Sequence, residues 1–307
     1  MNSFSEKLIG NVNKVIVGKE DQIELLLISL LVGGHVLLED VPGTGKTKTA
    51  KALAASLDLD FKRVQFTIDL LPSDLTGINF FDREANSFVF RKGPVFTNIL
   101  LADEINRATA RTQSSLLECM EEHQVTVDGD TKKLEPPFLV IATQNPVESQ
   151  GTFPLPEAQL DRFLMMLKRF ATEDPLDKLA PVTTKEELAS MQEQVKNIFV
   201  SDLLYDYAAR IVEATRQSDD IAIGASPRAL LAFVAAAKAR AFVRDRTNCI
   251  PDDFKSLAVP VLAHRLTVRL QRAVSKNVKF LSKRDMAEQL VKKILEEVPC
   301  PTEDFSR

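Results

Sequence analysis

Apolar and polar positions divide this chain into two parts with different periodicity. Up to about residue 170, short apolar and β-branched runs alternate with helix-forming stretches. Runs that are apolar at nearly every position are typical of strands covered on both faces, and helical segments between them indicate parallel crossovers. The sequence therefore predicts an α/β domain with a five-stranded parallel sheet. The five runs are HVLLE (35–39), RVQFT (63–67), NILLAD (98–103), FLVIATQ (138–144) and RFLMMLK (162–168).

The pattern changes in the C-terminal part of the chain. There, apolar residues recur every three or four positions, which is the period of an amphipathic helix. Ser226 is a favourable N-cap and Pro227 suits the first helical position, so one helix should begin there. We therefore expect an α/β core over residues 1–172, a linker with a connecting helix over residues 173–200, and a small all-α domain over residues 201–307.

Two segments of the first part do not fit a plain parallel sheet with helical crossovers. Residues 80–96 and 123–138 each place a polar or glycine-containing turn between two short runs of strand-forming residues. That arrangement is typical of a β-hairpin. We expect both hairpins to be insertions on the α/β core.

Composition narrows the class of protein and its compartment. The chain has 307 residues, of which 45% are hydrophobic and 27% are charged, as in folded globular proteins. Its most apolar stretch, Leu25–Leu38, is interrupted by two glycines and a histidine and is too short to span a membrane as a helix. The N-terminus lacks the residue order of a secretory signal, so we expect a cytoplasmic protein without membrane insertion. A net charge of −4 and a pI near 5.6 provide no electrostatic footprint for nucleic acid.

A glycine-rich turn follows the first apolar run. The segment DVPGTGKT (40–47) lies between the strand HVLLE and the helix-forming stretch KTKTAKALAASL, which is the context of a phosphate-binding P-loop. Glycines let the loop turn its N–H groups toward phosphate, the helix N-terminus adds partial positive charge, and a lysine and a threonine follow for the phosphates and Mg²⁺. An ordinary glycine turn before a helix is the alternative, and Asp40 stands where the strict pattern has its first glycine. The candidate nucleotide-binding residues in this segment are Pro42, Gly43, Thr44, Gly45, Lys46, Thr47 and Lys48.

Carboxylates and amides end two later strands. The run NILLAD ends in Asp103, followed by Glu104, and such a strand end is where nucleotide sites open in parallel sheets. We expect Asp103 to hold the Mg²⁺ shell together with Thr47, and Glu104 to orient and polarise the attacking water. The run FLVIATQ brings Gln144 and Asn145 to the same edge, where an amide would hold a water near the γ-phosphate. Taken alone, the acidic pair also fits a solvated helix cap, and the Asn-Pro pair also fits a simple turn.

Longer segments resemble the MoxR family of AAA+ ATPases in order and in residues, from about residue 5 to residue 300. The resemblance rests on EDVPGTGKT, QFTIDLLPSDLTG, FRKGPVFTNILLADEINRA, TQSSLLECMEEHQVTVDG, IATQNPVESQGTFPLPEAQLDRF and GASPRALL. It implies an AAA+ core followed by a helical lid, with ATP and Mg²⁺ as cofactors. It also identifies the two hairpins as the helix-2 insert and the pre-sensor-1 insert of that family.

The resemblance further implies roles for residues that spacing alone does not identify. Asn145 resembles sensor 1, Arg162 in LDRF resembles the arginine finger, and Arg228 in SPRA resembles sensor 2 of the lid. Val17 and Gly18 resemble the segment that packs on adenine. Without the resemblance, a surface or ion-paired role is the favoured interpretation of both arginines.

The family resemblance implies a hexameric, chaperone-like ATPase that works with a von Willebrand factor A-type protein. We therefore expect Mg²⁺-dependent ATP hydrolysis in a homo-oligomeric ring, coupled to remodelling or assembly of a protein partner. Two alternatives stay open at this point. One is a nucleotide-gated scaffold with little turnover, against which Glu104 argues, and the other is a DNA-directed AAA+ motor, against which the acidic pI argues.

Overall fold

The computed structural model describes residues 1–16, 19–39, 46–145, 152–168, 180–269 and 282–302. The contacts within the chain divide it into two compact units. The N-terminal unit comprises Ser3–Phe163 and Leu167–Ser190, and the C-terminal unit comprises Met191–Arg307 together with Met1–Asn2 and Leu164–Met166. The domain limits expected from the sequence stay predictions.

A five-stranded sheet is the centre of the α/β part of the chain, as predicted. In chain order the strands are β1 (Val36–Glu39), β2 (Phe61–Gln65), β3 (Gly77–Asp82), β4 (Ser87–Lys92), β5 (Ile99–Asp103), β6 (Gln124–Val127), β7 (Asp130–Lys133), β8 (Leu139–Gln144) and β9 (Met165–Lys168). The sheet order is β2-β5-β8-β1-β9, and β2 with β5, β5 with β8, and β8 with β1 pair in parallel. The first four positions of β5 and the first five of β8 are buried. Their continuous apolarity therefore reflects packing on both faces.

Both predicted hairpins are present. β3 pairs with β4, and β6 pairs with β7, each in antiparallel register. The turn between β6 and β7 consists of Asp128 and Gly129, which both have positive φ angles, 52° and 88°. Positive φ at both central residues is the backbone of a type I′ turn, whose twist matches the flanking strands. A carbon added at Gly77, where β3 begins, would collide with the carbonyl oxygen of Arg91, so that position requires glycine.

Seven helices precede the C-terminal helical part in the described residues. They are α1 (Ser3–Val12), α2 (Glu20–Leu31), α3 (Lys46–Ser56), α4 (Pro72–Thr76), α5 (Ala110–Glu122), α6 (Glu157–Leu160) and α7 (Lys185–Lys196). The run predicted as a strand over 162–168 begins as a strand only at Met165. Its first residues continue the turn after α6, because the N–H groups of Arg162 and Phe163 donate to Gln159 and Leu160.

The C-terminal part is helical, as predicted. Its helices among the described residues are α8 (Asp202–Gln217), α9 (Pro227–Val243), α10 (Pro251–Leu262) and α11 (Lys283–Glu297). Ser226 Oγ accepts the N–H of Ala229 at 3.1 Å, so the predicted start of α9 is confirmed. A short ribbon of β10 (Ile221–Ile223) and β11 (Thr267–Val268) was not predicted, because such short strands carry no period. None of the helices in the described ranges is long and apolar enough to cross a membrane.

Buried His35 joins a helix to a strand beside β1. The Val140 N–H donates to His35 Nδ1 at 3.0 Å, so the proton of the neutral ring is on Nε2, which donates to the Met120 carbonyl at 3.0 Å. Burial, with a smaller repulsion from His123, lowers the pKa of His35 to about 4. The folded core therefore needs a neutral imidazole at this position.

We expect the stability of the N-terminal unit to fall as the pH drops from about 6.5 toward 4. The unfolded chain binds a proton at His35 below about pH 6.5 and the folded chain only near pH 4, so acid favours unfolding. Between pH 7 and pH 5 this linkage costs about 2 kcal/mol. Denaturant titrations at both pH values should show that loss in the wild type, and the difference should be smaller in His35→Gln. An unchanged difference between the two pH values in His35→Gln would contradict the assignment.

Candidate functional site

Parallel pairing brings three strand ends to one edge of the sheet. Glu39 at the end of β1 lies opposite Gln144 at the end of β8, and β5 runs parallel to β8 on its other side. Helix α3 begins at Lys46, soon after β1 ends, so the predicted strand–loop–helix context is observed. The N-terminus of α3 carries partial positive charge, which favours bound phosphate.

Part of the predicted nucleotide site lies outside the described residues. The predicted residues concerned are Val17, Gly18, Pro42, Gly43, Thr44 and Gly45, together with the side chain of Lys46. Thr47 and Lys48 lie in the first turn of α3 and are half-buried. Their assignment to nucleotide and metal binding stays a prediction.

Asp103 is held by both neighbouring strands of the sheet. Thr143 Oγ1 on β8 donates to Asp103 Oδ1 at 2.6 Å. On the other side, Arg63 on β2 donates to Oδ2 from Nε at 3.1 Å and from Nη2 at 2.7 Å. Charge-assisted hydrogen bonds from two directions fix the carboxylate at the strand end. The oxygen donors Asp103 and Thr47 are of the kind that Mg²⁺ prefers, so this donor set fits the predicted metal.

Glu104 leaves the strand in a left-handed backbone conformation. Its φ and ψ are 56° and 51°, which costs a residue other than glycine about 1 kcal/mol. The Thr143 hydroxyl compensates, because it accepts the Glu104 N–H at 2.8 Å while it donates to Asp103. Thr143 thereby holds the side chain of Asp103 and the backbone of Glu104 from inside the sheet, where it is fully buried.

Two donors hold the Glu104 carboxylate. Gln65 Nε2 on β2 donates to Glu104 Oε2 at 2.9 Å, and Arg107 Nε contacts the same oxygen at 2.9 Å. Both contacts reach Oε2, so this oxygen fixes the direction of the carboxylate. The carboxylate therefore has the orientation and charge that a water-activating group requires.

The amides at the end of β8 differ in their placement. The buried residue Asn145 accepts a hydrogen bond at its carbonyl from Asn106 Nδ2, at 3.4 Å. Gln144 donates to Glu39 Oε1, at 3.4 Å, on the neighbouring strand β1. Both residues therefore lie at the expected sheet edge, and the side chain of Gln144 is turned toward β1.

The two predicted arginines lie in different units of the chain. Arg162 follows α6, and its Nη2 lies 3.2 Å from Glu121 Oε2 on α5, with both side chains 32% exposed. Arg228 lies in the first turn of α9, in the C-terminal unit, and is exposed. The structure thus brings Asp103, Glu104 and Asn145 to one edge, and it places Arg162 beside Glu121.

Sequence reasoning missed the residues that hold this acidic pair. They are Arg63, Gln65, Arg107 and Thr143. Thr143 had a weak signal, since it is a polar residue inside an apolar run, and Arg63 and Gln65 are polar residues in the run RVQFT. No local pattern shows that β2 lies next to β5. Arg63 and Gln65 reach the acidic pair only because these two strands are neighbours in the sheet.

Comparisons with known proteins agree with this geometry. Residues 35–165 match the family described as "ATPase family associated with various cellular activities (AAA)", and residues 213–284 match an AAA lid domain. The chain is 45% identical to the uncharacterized protein YeaC of Bacillus subtilis, over 97% of this chain and 95% of YeaC. It is 41% identical to Chaperone MoxR1 of Mycobacterium tuberculosis, over 86% of this chain and 75% of MoxR1. A crystal structure from Cytophaga hutchinsonii, described as a "putative ATPase", matches with a TM-score of 0.86 and 38% identity, over 97% of this chain and 96% of that one.

Proposed function

This chain belongs to the MoxR family of AAA ATPases, and we propose that it hydrolyses ATP in a homo-oligomeric, hexameric ring to remodel or assemble a protein partner. The observation that carries the hydrolysis is the placement of Glu104. This carboxylate follows a buried strand, at the sheet edge where β1 leads into α3, and Gln65 and Thr143 hold its side chain and backbone. A carboxylate fixed at that edge is suited to activate water next to a bound phosphate chain.

Each residue of the proposed site has one task. The N-terminus of α3 and Lys46 bind the phosphates, and Glu104 orients and polarises the attacking water. Asn145 holds the water or the γ-phosphate through its amide. Arg162 reaches the phosphates of a neighbouring subunit, and Arg228 contributes from the lid. Charge that develops on the transferring phosphoryl group is thereby met by fixed donors.

Thr47 and Asp103 would hold Mg²⁺ in this proposal. When bound, the ion neutralises charge on the β- and γ-phosphate oxygens. Arg63 contacts Asp103 Oδ2 in the present structure and keeps that carboxylate in one orientation.

Removal of the metal provides the test of hydrolysis. Phosphate release from ATP should fall to background in EDTA, because hard oxygen ligands such as Thr47 and Asp103 require Mg²⁺ to engage the phosphates. Activity should return when Mg²⁺ is added in excess over the chelator. Lys46→Ala provides the background rate, since it removes the phosphate-binding charge. Turnover that persists in chelator would contradict the proposed site.

An exposed apolar hairpin supports the chaperone-like part of the proposal. The β3–β4 register pairs Phe81 with Phe88 on one face and Phe80 with Val89 on the other. Phe88 is 74% exposed, and its ring meets that of Phe81 edge to face, with centroids 5.5 Å apart. Contiguous exposed apolar side chains mark sites of protein interaction. We assign this hairpin as the contact for the partner, a protein with a von Willebrand factor A-type domain.

Substitution of the hairpin phenylalanines tests this contact. In a Glu104→Gln background that retains ATP, the added changes Phe80→Ser and Phe88→Ser should lower recovery of the partner in a pull-down by about tenfold or more. The folded state should lose little stability, because both side chains are exposed. Arg91→Ser, an exposed polar change in the same hairpin, is the matched control. Equal recovery of a von Willebrand factor A-type protein by both variants would remove the hairpin as its contact.

One observation favours a nucleotide-gated scaffold as the second candidate. Gln65 and Arg107 both engage Glu104, and these contacts must allow a water to approach before hydrolysis can occur. A scaffold would bind ATP and assemble, with phosphate release no faster than in Lys46→Ala, even when the partner is present. Measuring turnover with and without the captured partner separates the two functions.

A further inference from the structure

Gln113 on α5 joins two segments that are far apart in the chain. Its side chain is 2% exposed, and Nε2 donates to the carbonyls of Ile105 at 3.1 Å, Ala108 at 3.1 Å and Phe153 at 2.8 Å. Glu104 is followed by a short 3-10 turn, Ile105–Arg107; Ile105 begins this turn and Ala108 caps its end. The amide therefore ties that turn to the segment at Phe153.

The segment at Phe153 is bound to the same turn through its backbone. The Phe153 N–H donates to the Asn106 carbonyl at 2.6 Å, while the Phe153 carbonyl accepts from Gln113. The backbone N–H of Phe153 is therefore bonded to the turn after Glu104, and its backbone carbonyl is bonded to Gln113. A displacement of either segment breaks hydrogen bonds of buried groups, which is costly.

From Phe153 the chain runs through α6 to Arg162. Arg162 contacts Glu121, which lies eight residues after Gln113 on the same helix. Helix α5 therefore holds the segment from Phe153 to Arg162 at both ends, at Gln113 and at Glu121. The same helix thereby positions the turn after Glu104 and the segment that carries Arg162.

We propose that Gln113 is a positioning residue that couples the orientation of Glu104 to the segment carrying Arg162. This inference rests on the proposed ATPase function and extends it. Gln113 acts on the backbone of the turn after Glu104, whereas nucleotide binding is assigned to the P-loop and α3. Loss of its donors should therefore lower the rate of hydrolysis much more than the affinity for ATP.

A purely structural role predicts a different result. A buried amide that only satisfies carbonyls would cost stability when removed, without separating kcat from KM. Thr112 supplies the matched comparison, because it precedes Gln113 on α5, is fully buried, and donates its hydroxyl to the Leu70 carbonyl at 2.7 Å. Thr112→Val removes one buried side-chain donor, and the Thr112 hydroxyl makes no hydrogen bond to Ile105, Ala108 or Phe153; its other contact is with Thr109 Oγ1, at 3.4 Å.

The kinetic experiment compares Gln113→Met with Thr112→Val and the wild type in Mg²⁺–ATP, at a temperature where all three are folded by circular dichroism. We expect Gln113→Met to lower kcat by about 10²-fold with KM changed by about threefold or less, and Thr112→Val to leave kcat nearly unchanged. Equal kcat in Gln113→Met and wild type overturns the inference. Equal losses in both variants, in proportion to their lost stability, also overturn it. An inactive wild type would instead contradict the proposed ATPase function.

Gln113→Glu gives a pH readout, taken at a temperature where the variant is fully folded at both pH values, because ionisation of a buried carboxyl also lowers stability. A protonated carboxyl donates one hydrogen bond to a carbonyl, whereas a carboxylate donates none, and burial favours the protonated form. The activity of Gln113→Glu relative to wild type should therefore be higher at pH 6 than at pH 8. A pH-independent ratio would contradict the inference.

Hydrogen exchange tests the coupling without any ATP turnover, so it decides the inference even if the wild type were inactive. Peptides that cover residues 104–108 and 152–160 should lose protection together in Gln113→Met and keep it in Thr112→Val. Loss of protection confined to one of the two segments would mean that Gln113 does not couple them.

Discussion

Glu104→Gln should stop ATP hydrolysis while leaving ATP binding close to that of the wild type. A carboxylate that orients and polarises water contributes about 10²- to 10⁴-fold to the rate, and the neutral amide loses that basicity. The substitution keeps the size of the side chain and does not touch the P-loop. Phosphate release gives the rate, and titration with a fluorescent ATP analogue gives the affinity.

The surrounding contacts make this prediction specific. Thr143 holds the backbone of residue 104, so the amide side chain should start from the same position as the carboxylate. Glu118→Gln is the matched control, because Glu118 is an exposed carboxylate on α5. Normal turnover in Glu104→Gln would remove Glu104 as the water-activating residue, and a loss in both variants would indicate a general charge effect.

Arg162→Ala should bind ATP almost normally and lose about 10³-fold or more in kcat. An arginine supplied in trans stabilises charge on the transferring phosphoryl group and contributes about 10³- to 10⁵-fold in rate. Its loss removes transition-state stabilisation, whereas the P-loop of each subunit still binds nucleotide. The rate and affinity assays used for Glu104 measure both effects.

The ion pair with Glu121 provides the control for this variant. Glu121→Gln removes the partner of Arg162 and leaves the guanidinium in place. If Arg162 acts on a neighbour, Glu121→Gln should retain most of the activity that Arg162→Ala loses. Equal losses in the two variants would mean that Arg162 matters only as the partner of Glu121.

Mixing variants tests whether sites are shared between subunits. Arg162→Ala has an intact P-loop and Lys46→Ala has an intact arginine, so a mixed ring contains some complete sites. ATPase activity should recover in the mixture, and specific activity should rise with protein concentration. Full activity in a monomeric preparation, with no recovery on mixing, would exclude a shared site.

Local patterns were sufficient where burial or capping acts on neighbouring residues. The interior strand Ile99–Asp103 was predicted because a strand covered on both faces must be apolar at nearly every position. The start of α9 was predicted because Ser226 caps the residue three positions later. The strand run at 162–168 was predicted too long, since its first residues hydrogen-bond back to α6.

The sequence by itself determined the α/β class, the two hairpins, the C-terminal helices and the acidic pair at the end of β5. Each of these depends on residues close together in the chain. Only the tertiary structure decided which side chains hold that pair, because Arg63, Gln65 and Thr143 reach it through the neighbourhood of β2, β5 and β8. The hydrogen bond from Gln113 to the Phe153 carbonyl arises in the same way, because the folded core brings together two segments that are 40 residues apart in the chain.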